Sequence, residues 1–201
     1  MEQKTQPKTN ELDRRDFFKA SAGAGIALAA SQMAHAAAKE RKKKRFAVVG
    51  VGSRFRMYRS SLEEAHAEYG ELVGYCDVNK GRLALAQKQT KEATGVALPV
   101  FAAEDFDRMI SKTKPDVVIV TTVDGFHDQY IARAMELGCD VITEKPMTIT
   151  AEKCQRIIDA QKKTGRNCRV TFNYRYSPPR TQVKDILMSG EIGEVLSVDF
   201  H

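Results

Sequence analysis

The stretch Phe46-Ala47-Val48-Val49-Gly50-Val51-Gly52 constrains this chain most: an apolar run of strand character that breaks into paired glycines. Where a buried strand feeds a helix, the first glycine allows the tight turn and the second lets the backbone come close to a ligand. Free amides at the start of the helix then suit a pyrophosphate. Gly50, Gly52, Ser53 and Arg54 are therefore the first candidates for dinucleotide contacts. Phe55 stands where a third glycine or alanine is usual. Either helix and strand are spaced more widely there, or the ring packs over the cofactor.

From Arg45 onward, short apolar runs alternate with longer segments of helical period, the pattern of a parallel sheet with helices on both faces. The predicted strands are 46–51, 71–77, 98–101, 116–122, 139–143 and 167–172. Phe55, Tyr58, Leu62, Ala65 and Tyr69 make one stripe on the first helix, with Gly70 as its stop. Phe126, Tyr130, Ile131, Ala134 and Met135 do the same ahead of Gly138. Thr150 can cap a helix whose Cys154, Ile157 and Ile158 face inward, ending at Gly165. The expected fold class is α/β, a doubly wound parallel sheet forming a dinucleotide-binding Rossmann domain over 46–172.

After Asn173 the pattern changes. Tyr176-Ser177-Pro178-Pro179 breaks the chain, a helix carries Val183, Ile186 and Leu187, and an alternating strand begins at Val195. One helix and one strand cannot bury a face of their own, so 173–201 are read as the opening of an incomplete α+β substrate domain. The chain is accordingly expected to be a fragment that binds nucleotide without turning over.

Residues 1–38 are set aside from the fold. Arg14-Arg15-Asp16-Phe17-Phe18-Lys19 resembles a twin-arginine signal, and Ala34-His35-Ala36 offers the small residues a signal peptidase needs. The mildly apolar run between them falls far short of the roughly 20 strongly apolar residues of a membrane-spanning helix. A disordered alanine-rich tail is the alternative. The signal reading makes the mature protein periplasmic or otherwise extracytoplasmic, free of the membrane, and folded around its cofactor before export. The net charge of +6 comes from this tail and the basic linker 39–45, because 46–201 hold as many acidic as basic side chains. No basic face remains, and no nucleic-acid partner is expected. Cys76, Cys139, Cys154 and Cys168 form no CxxC pair and stand near no histidine at ligand spacing, so no metal is expected.

Asp77 ends the second strand, where an acid is suited to accept hydrogen bonds from the adenosine ribose. A carboxylate there repels a 2′-phosphate, which favours NAD over NADP, although Lys80 and Arg82 lie close by and soften that preference. The fourth strand ends in Thr121-Thr122 and the fifth in Glu144-Lys145-Pro146. Both ends face the crevice of the glycine turn, because ligands of such sheets bind beyond the carboxyl ends of strands. A lysine partly desolvated beside a cationic ring gives up its proton more readily, which suits Lys145 to exchange a proton with a substrate hydroxyl.

The glycine turn, Asp77, the segment from Thr122 to His127 and above all Glu144-Lys145-Pro146 resemble the glucose–fructose oxidoreductase, inositol dehydrogenase and rhizopine-catabolism (Gfo/Idh/MocA) family. The resemblance covers nearly everything from Phe46 to His201. It implies a nicotinamide-binding domain followed by a substrate domain on an open, mainly antiparallel sheet, and in full length a homo-oligomer. It implies that Lys145 is catalytic on a sugar or cyclitol, that Glu144 lies beside the cofactor and that Pro146 follows a cis bond. His127 and Arg175 match recurring family positions and join Thr121 and Thr122 as candidate cofactor contacts. Val123 departs from the proline or asparagine of many relatives. The expected function is an exported NAD-dependent oxidoreductase; a glycoside hydrolase that oxidises its sugar transiently and an inactive scaffold of the same fold are the competing readings.

Overall fold

The computed structural model describes residues 42–199. The expected signal at 1–38, linker residues 39–41 and His201 lie outside the described residues. In chain order the elements are β1 (Lys44–Val49), α1 (Phe55–Ser60), β2 (Gly70–Asp77), α2 (Lys80–Thr94), β3 (Val100–Ala102), α3 (Phe106–Thr113), β4 (Val117–Val120), α4 (His127–Glu136), β5 (Asp140–Glu144), α5 (Ala151–Thr164), β6 (Cys168–Thr171) and α6 (Pro178–Ser189). The six strands are parallel in the order β3-β2-β1-β4-β5-β6, a doubly wound Rossmann sheet.

The two-residue period of the strands divides the core. Ala47, Val49, Val118 and Val120 face one side, against Met109 of α3, Ile131 and Met135 of α4 and Ile157 of α5. Val48, Tyr75 and Ile119 face the other, against Phe55 of α1 and Leu83 and Ala86 of α2. Each fully buried aliphatic side chain contributes on the order of 1.5–3 kcal/mol. Strand order reverses between β1 and β4, and the crevice of a doubly wound sheet opens there, between Gly50 and Thr121.

Several local expectations are corrected. The first helix is α-helical only to Ser60 and continues as a π-helix over Ser61–Ala65, with His66 N donating back to Ser61 O at 2.7 Å. The wider turn shifts later residues off the apolar stripe, leaving Ala65 and Tyr69 exposed. Gly70 does not stop that helix; it opens β2, where a Cβ would come within 2.5 Å of the Phe46 ring. Phe126 sits in a 3₁₀ turn before α4 and is exposed, as is Ile158 on the outer side of α5. Residues 195–199 form no strand, and Val195, Leu196 and Val198 are exposed: alternation makes a strand only where a partner edge takes its hydrogen bonds. Val183, Ile186 and Leu187 of α6 are exposed as well.

Asp128 anchors α4 to α5. It is 1% exposed, with Lys153 Nζ 2.7 Å from one oxygen and Arg156 Nη1 2.9 Å from the other. Burial works to raise its pKa, but the hydrogen bonds from Lys153 and Arg156 outweigh it and hold the carboxyl below the usual carboxylate range. A carboxyl depressed in the folded state stabilises the fold above its unfolded pKa and loses that contribution as pH falls through the folded one. Wild-type stability is therefore expected to fall below about pH 4. Asp128→Asn should cost about 1–3 kcal/mol at pH 7, and this gap should close toward pH 3, as urea midpoints at the two pH values will show.

Candidate cofactor groove

Gly50 carries the turn with φ +90°. Its N–H donates to Cys76 O at 2.8 Å and its carbonyl accepts from the Thr121 hydroxyl at 2.6 Å, so β2 and β4 grip it from both sides. A Cβ at Gly50 would lie 2.5 Å from Thr122 N and 2.6 Å from the Thr121 carbonyl. Gly52 is different: the nearest atom to an added Cβ is the Arg82 guanidinium at 3.8 Å, and the space belongs to the groove. Phe55 is 2% exposed and meets Tyr75 edge-on with ring centroids 5.1 Å apart. It is a core residue beneath the turn; the ring does not lie over a ligand.

Asp77, at the end of β2, turns its carboxylate inward. Oδ2 accepts the Val51 N–H at 2.7 Å and Oδ1 the Asn79 N–H at 2.8 Å. The side chain therefore braces the glycine turn first. A carboxylate has about four acceptor positions, which leaves capacity for ribose hydroxyls at the groove it lines.

At the end of β4, Thr121 is buried and tied to Gly50, while Thr122 lies on the groove wall. His127 is 0% exposed and cannot touch a cofactor, which overturns the contact expected of it. Its Nδ1 lies 3.1 Å from Pro146 O and its Nε2 3.1 Å from Thr122 O. The imidazole thus joins the loop after β4 to the loop after β5 and positions both.

Glu144 closes β5 in a network that draws on three elements. Arg54 Nε forms an ion pair with its Oε1 at 2.8 Å and the Tyr58 hydroxyl donates to the same oxygen at 2.6 Å; Thr171 Oγ1, on β6, lies 3.0 Å from the Tyr58 oxygen. Burial works to raise the Glu144 pKa, but the Arg54 guanidinium and the hydrogen bond from Tyr58 prevail and hold it below the usual carboxylate range. Burial, then the bond to Glu144, pushes the Tyr58 phenol upward. Lys145 follows, joined to Pro146 by a cis peptide bond, and is exposed, so the described residues do not supply the desolvation expected of it.

Two cavities meet in this region. One, about 660 Å³, brings Lys145, Glu144 and Arg175 together with Phe172, Asn173 and Tyr174 after β6. The other, about 410 Å³, lies over Gly50, Gly52, Ser53 and Asp77, with Val78 and Arg82 at its far end. Arg54, Thr121 and Thr122 wall both, so the two form one elongated groove along the carboxyl ends of the strands. An elongated cleft with a tight glycine turn midway and an acid at one end fits a dinucleotide. Of the predicted site residues only His127 lies off it. Sequence reading missed Tyr58, counted as part of an apolar stripe, and Thr171, Asp124 and Tyr174; the phenol of Tyr58, a polar tip on an otherwise apolar stripe, was its one available signal.

The four cysteines are free, and burial pushes the Cys76 thiol up to about 12 and those of Cys139 and Cys168 to about 11. Among the described residues no helix is long and apolar enough to cross a membrane.

A profile of the GFO_IDH_MocA group, described as an oxidoreductase family with an NAD-binding Rossmann fold, matches residues 44–172. The chain is 38% identical over 153 residues to YteT of Bacillus subtilis, covering 76% of this chain and 35% of that protein. It is 30% identical over 156 residues to glycosyl hydrolase family 109 protein 1 of Akkermansia muciniphila (77% and 32% covered). To the D-glucoside 3-dehydrogenase of Escherichia coli it is 29% identical over 157 residues (75% and 41%). Among solved structures, the WlbA dehydrogenase of Chromobacterium violaceum in complex with NADH and UDP-GlcNAcA superposes with a TM-score of 0.65 at 28% identity, covering 77% of this chain and 42% of that one. The chain thus spans about a third of the length of the first two relatives.

Proposed function

Because this chain belongs to the Gfo/Idh/MocA oxidoreductases, a family with an NAD-binding Rossmann fold, we propose that it serves an exported enzyme that moves a hydride between NAD and a hydroxyl-bearing carbon of a sugar or cyclitol. One observation carries the reading: Lys145 opens into the same cavity as Glu144 and Thr122, and that cavity runs on into the glycine-turn groove. The cofactor is NAD. When bound, it supplies a nicotinamide that accepts or returns hydride.

The chain's own residues do the rest. Gly50 and Gly52 let the backbone approach the pyrophosphate, and Asp77 offers its remaining acceptor capacity to the adenosine ribose. As substrate is oxidised, its O–H and C–H bonds break and a carbonyl forms; the hydride leaves with its electron pair and Lys145 Nζ takes the proton, returning it in reduction. Exposure of Lys145 lets that proton exchange with water. His127 and Glu144 keep the loop carrying Lys145 in place.

The N-terminal segment acts in this proposal as a twin-arginine signal, residues 173–201 lead into a substrate domain, and the full-length protein assembles with copies of itself. Likeness to the glucoside dehydrogenase and to WlbA supports a sugar substrate. Likeness to the family 109 hydrolase supports a second reading, in which transient oxidation drives glycoside cleavage with no net redox change. Aryl release from a chromogenic glycoside without change in NADH absorbance would favour it.

The deciding experiment isolates the protein from the exported fraction, denatures it and identifies released nucleotide by mass spectrometry. NAD near one per chain is expected. An empty protein that also fails to bind added NADH would overturn both readings.

A further inference from the structure

Arg54 sits where the two cavities join. Its backbone follows the glycine turn directly, and a dinucleotide lying through both cavities must pass its side chain. Yet in this structure the guanidinium is turned to a carboxylate: Nε lies 2.8 Å from Glu144 Oε1 as an ion pair, with Arg54 38% and Glu144 12% exposed at the side chain. No hydrogen bond from its two terminal nitrogens is found among the described residues. The guanidinium therefore meets the carboxylate as a charge through one nitrogen, and its donor fork is left for another acceptor.

Glu144 does not depend on that ion pair for its place. The Tyr58 hydroxyl donates to it at 2.6 Å, and the single Thr171 hydroxyl proton serves either the Tyr58 oxygen at 3.0 Å or Thr143 O at 3.1 Å. If Arg54 leaves, the carboxylate keeps a donor held by β5 and β6. The planar guanidinium, in turn, matches a phosphate better than a single carboxylate oxygen, and a pyrophosphate carries the larger charge.

We propose that Glu144 is a resident stand-in for the pyrophosphate: it holds Arg54 by the ion pair at the junction of the two cavities, and Arg54 transfers to the pyrophosphate when the cofactor enters, with Tyr58 keeping Glu144 in position. The inference rests on the NAD reading. It makes Glu144 a competitor of the cofactor for one cation, so the residue sets the affinity from the unliganded side. It also couples loading to the freeing of a carboxylate next to Lys145.

The test uses ADP-ribose, which has the pyrophosphate but no nicotinamide, and AMP, which lacks the second phosphate; both are titrated calorimetrically. Glu144→Gln removes the competing charge and should tighten ADP-ribose binding about fivefold, the order of one partly exposed ion pair, while leaving AMP unchanged. Arg54→Gln should weaken ADP-ribose about tenfold, and the double variant should bind like Arg54→Gln alone. In the unmodified protein, the Arg54 Nε–H resonance, assigned by its loss in Arg54→Gln, should move on adding ADP-ribose and stay still on adding AMP; this reading survives even where Glu144→Gln fails to fold. Unchanged or weaker ADP-ribose binding by a folded Glu144→Gln, or a resonance that does not move, would make the pair a fixed strut and overturn the exchange. Wild-type protein that binds neither NADH nor ADP-ribose is a different failure, that of the NAD reading.

Discussion

Alanine at Gly50 will cost the fold about 2–5 kcal/mol, a large part of the 5–15 kcal/mol that typically separates folded from unfolded chains. The backbone there has φ +90°, and a Cβ would meet Thr121 and Thr122 backbone atoms at 2.5–2.6 Å. Those atoms cannot yield cheaply. Thr121 N donates to Val49 O at 2.9 Å and its hydroxyl to Gly50 O at 2.6 Å, so relief means parting β4 from β1 at the middle of the sheet. Gly52→Ala is the contrasting measurement, since its Cβ meets nothing closer than the end of the flexible Arg82 side chain at 3.8 Å. Its urea midpoint should stay within about 0.5 kcal/mol of wild type while NADH affinity drops about tenfold, because the methyl enters the groove. Equal losses of stability in the two variants would contradict the distinct roles assigned to the glycines.

Lys145→Met, in protein expressed from the natural gene, will lower hydride transfer by about 10²–10⁴-fold, the range that a positioned acid–base group supplies. The side chain is exposed at the cavity and no ion pair of it is found among the described residues, so its loss should leave the melting temperature and NADH affinity almost unchanged. Following NADH absorbance over a panel of hexoses and inositols, with NADH binding measured separately, tests this. Activity that survives the substitution would remove Lys145 from the chemistry; activity and NADH binding that fall together would make it a cofactor contact instead. His127→Phe provides a comparison, as it should damage stability and turnover together by releasing the Thr122 and Pro146 carbonyls.

The legible parts of this protein were those written in neighbouring residues. The central strands β1 and β4 carry short apolar runs, and the turn at Gly50 and the αL cap at Gly165 need glycine because of their own φ of +90° and +68°. That Lys145, Glu144 and Thr122 line one groove was legible because the carboxyl ends of parallel strands must face one crevice. Side-chain destinations were not. A histidine at the start of a helix reads the same whether it faces a ligand or, as His127 does, two carbonyls of separate loops. Tyr58 reads as an apolar stripe residue until the fold brings it to Glu144, 86 positions away. Asp77 is placed by its strand, but only the packed turn shows its oxygens bracing Val51 and Asn79. By itself, then, the sequence determined a doubly wound nucleotide sheet and the strand ends that line its groove, because periodicity and glycine geometry are local properties of the chain. Only the tertiary structure decided which charges meet, Arg54 with Glu144 and Asp128 with Lys153 and Arg156, because those pairings depend on distances that the crossover helices close and no local pattern encodes.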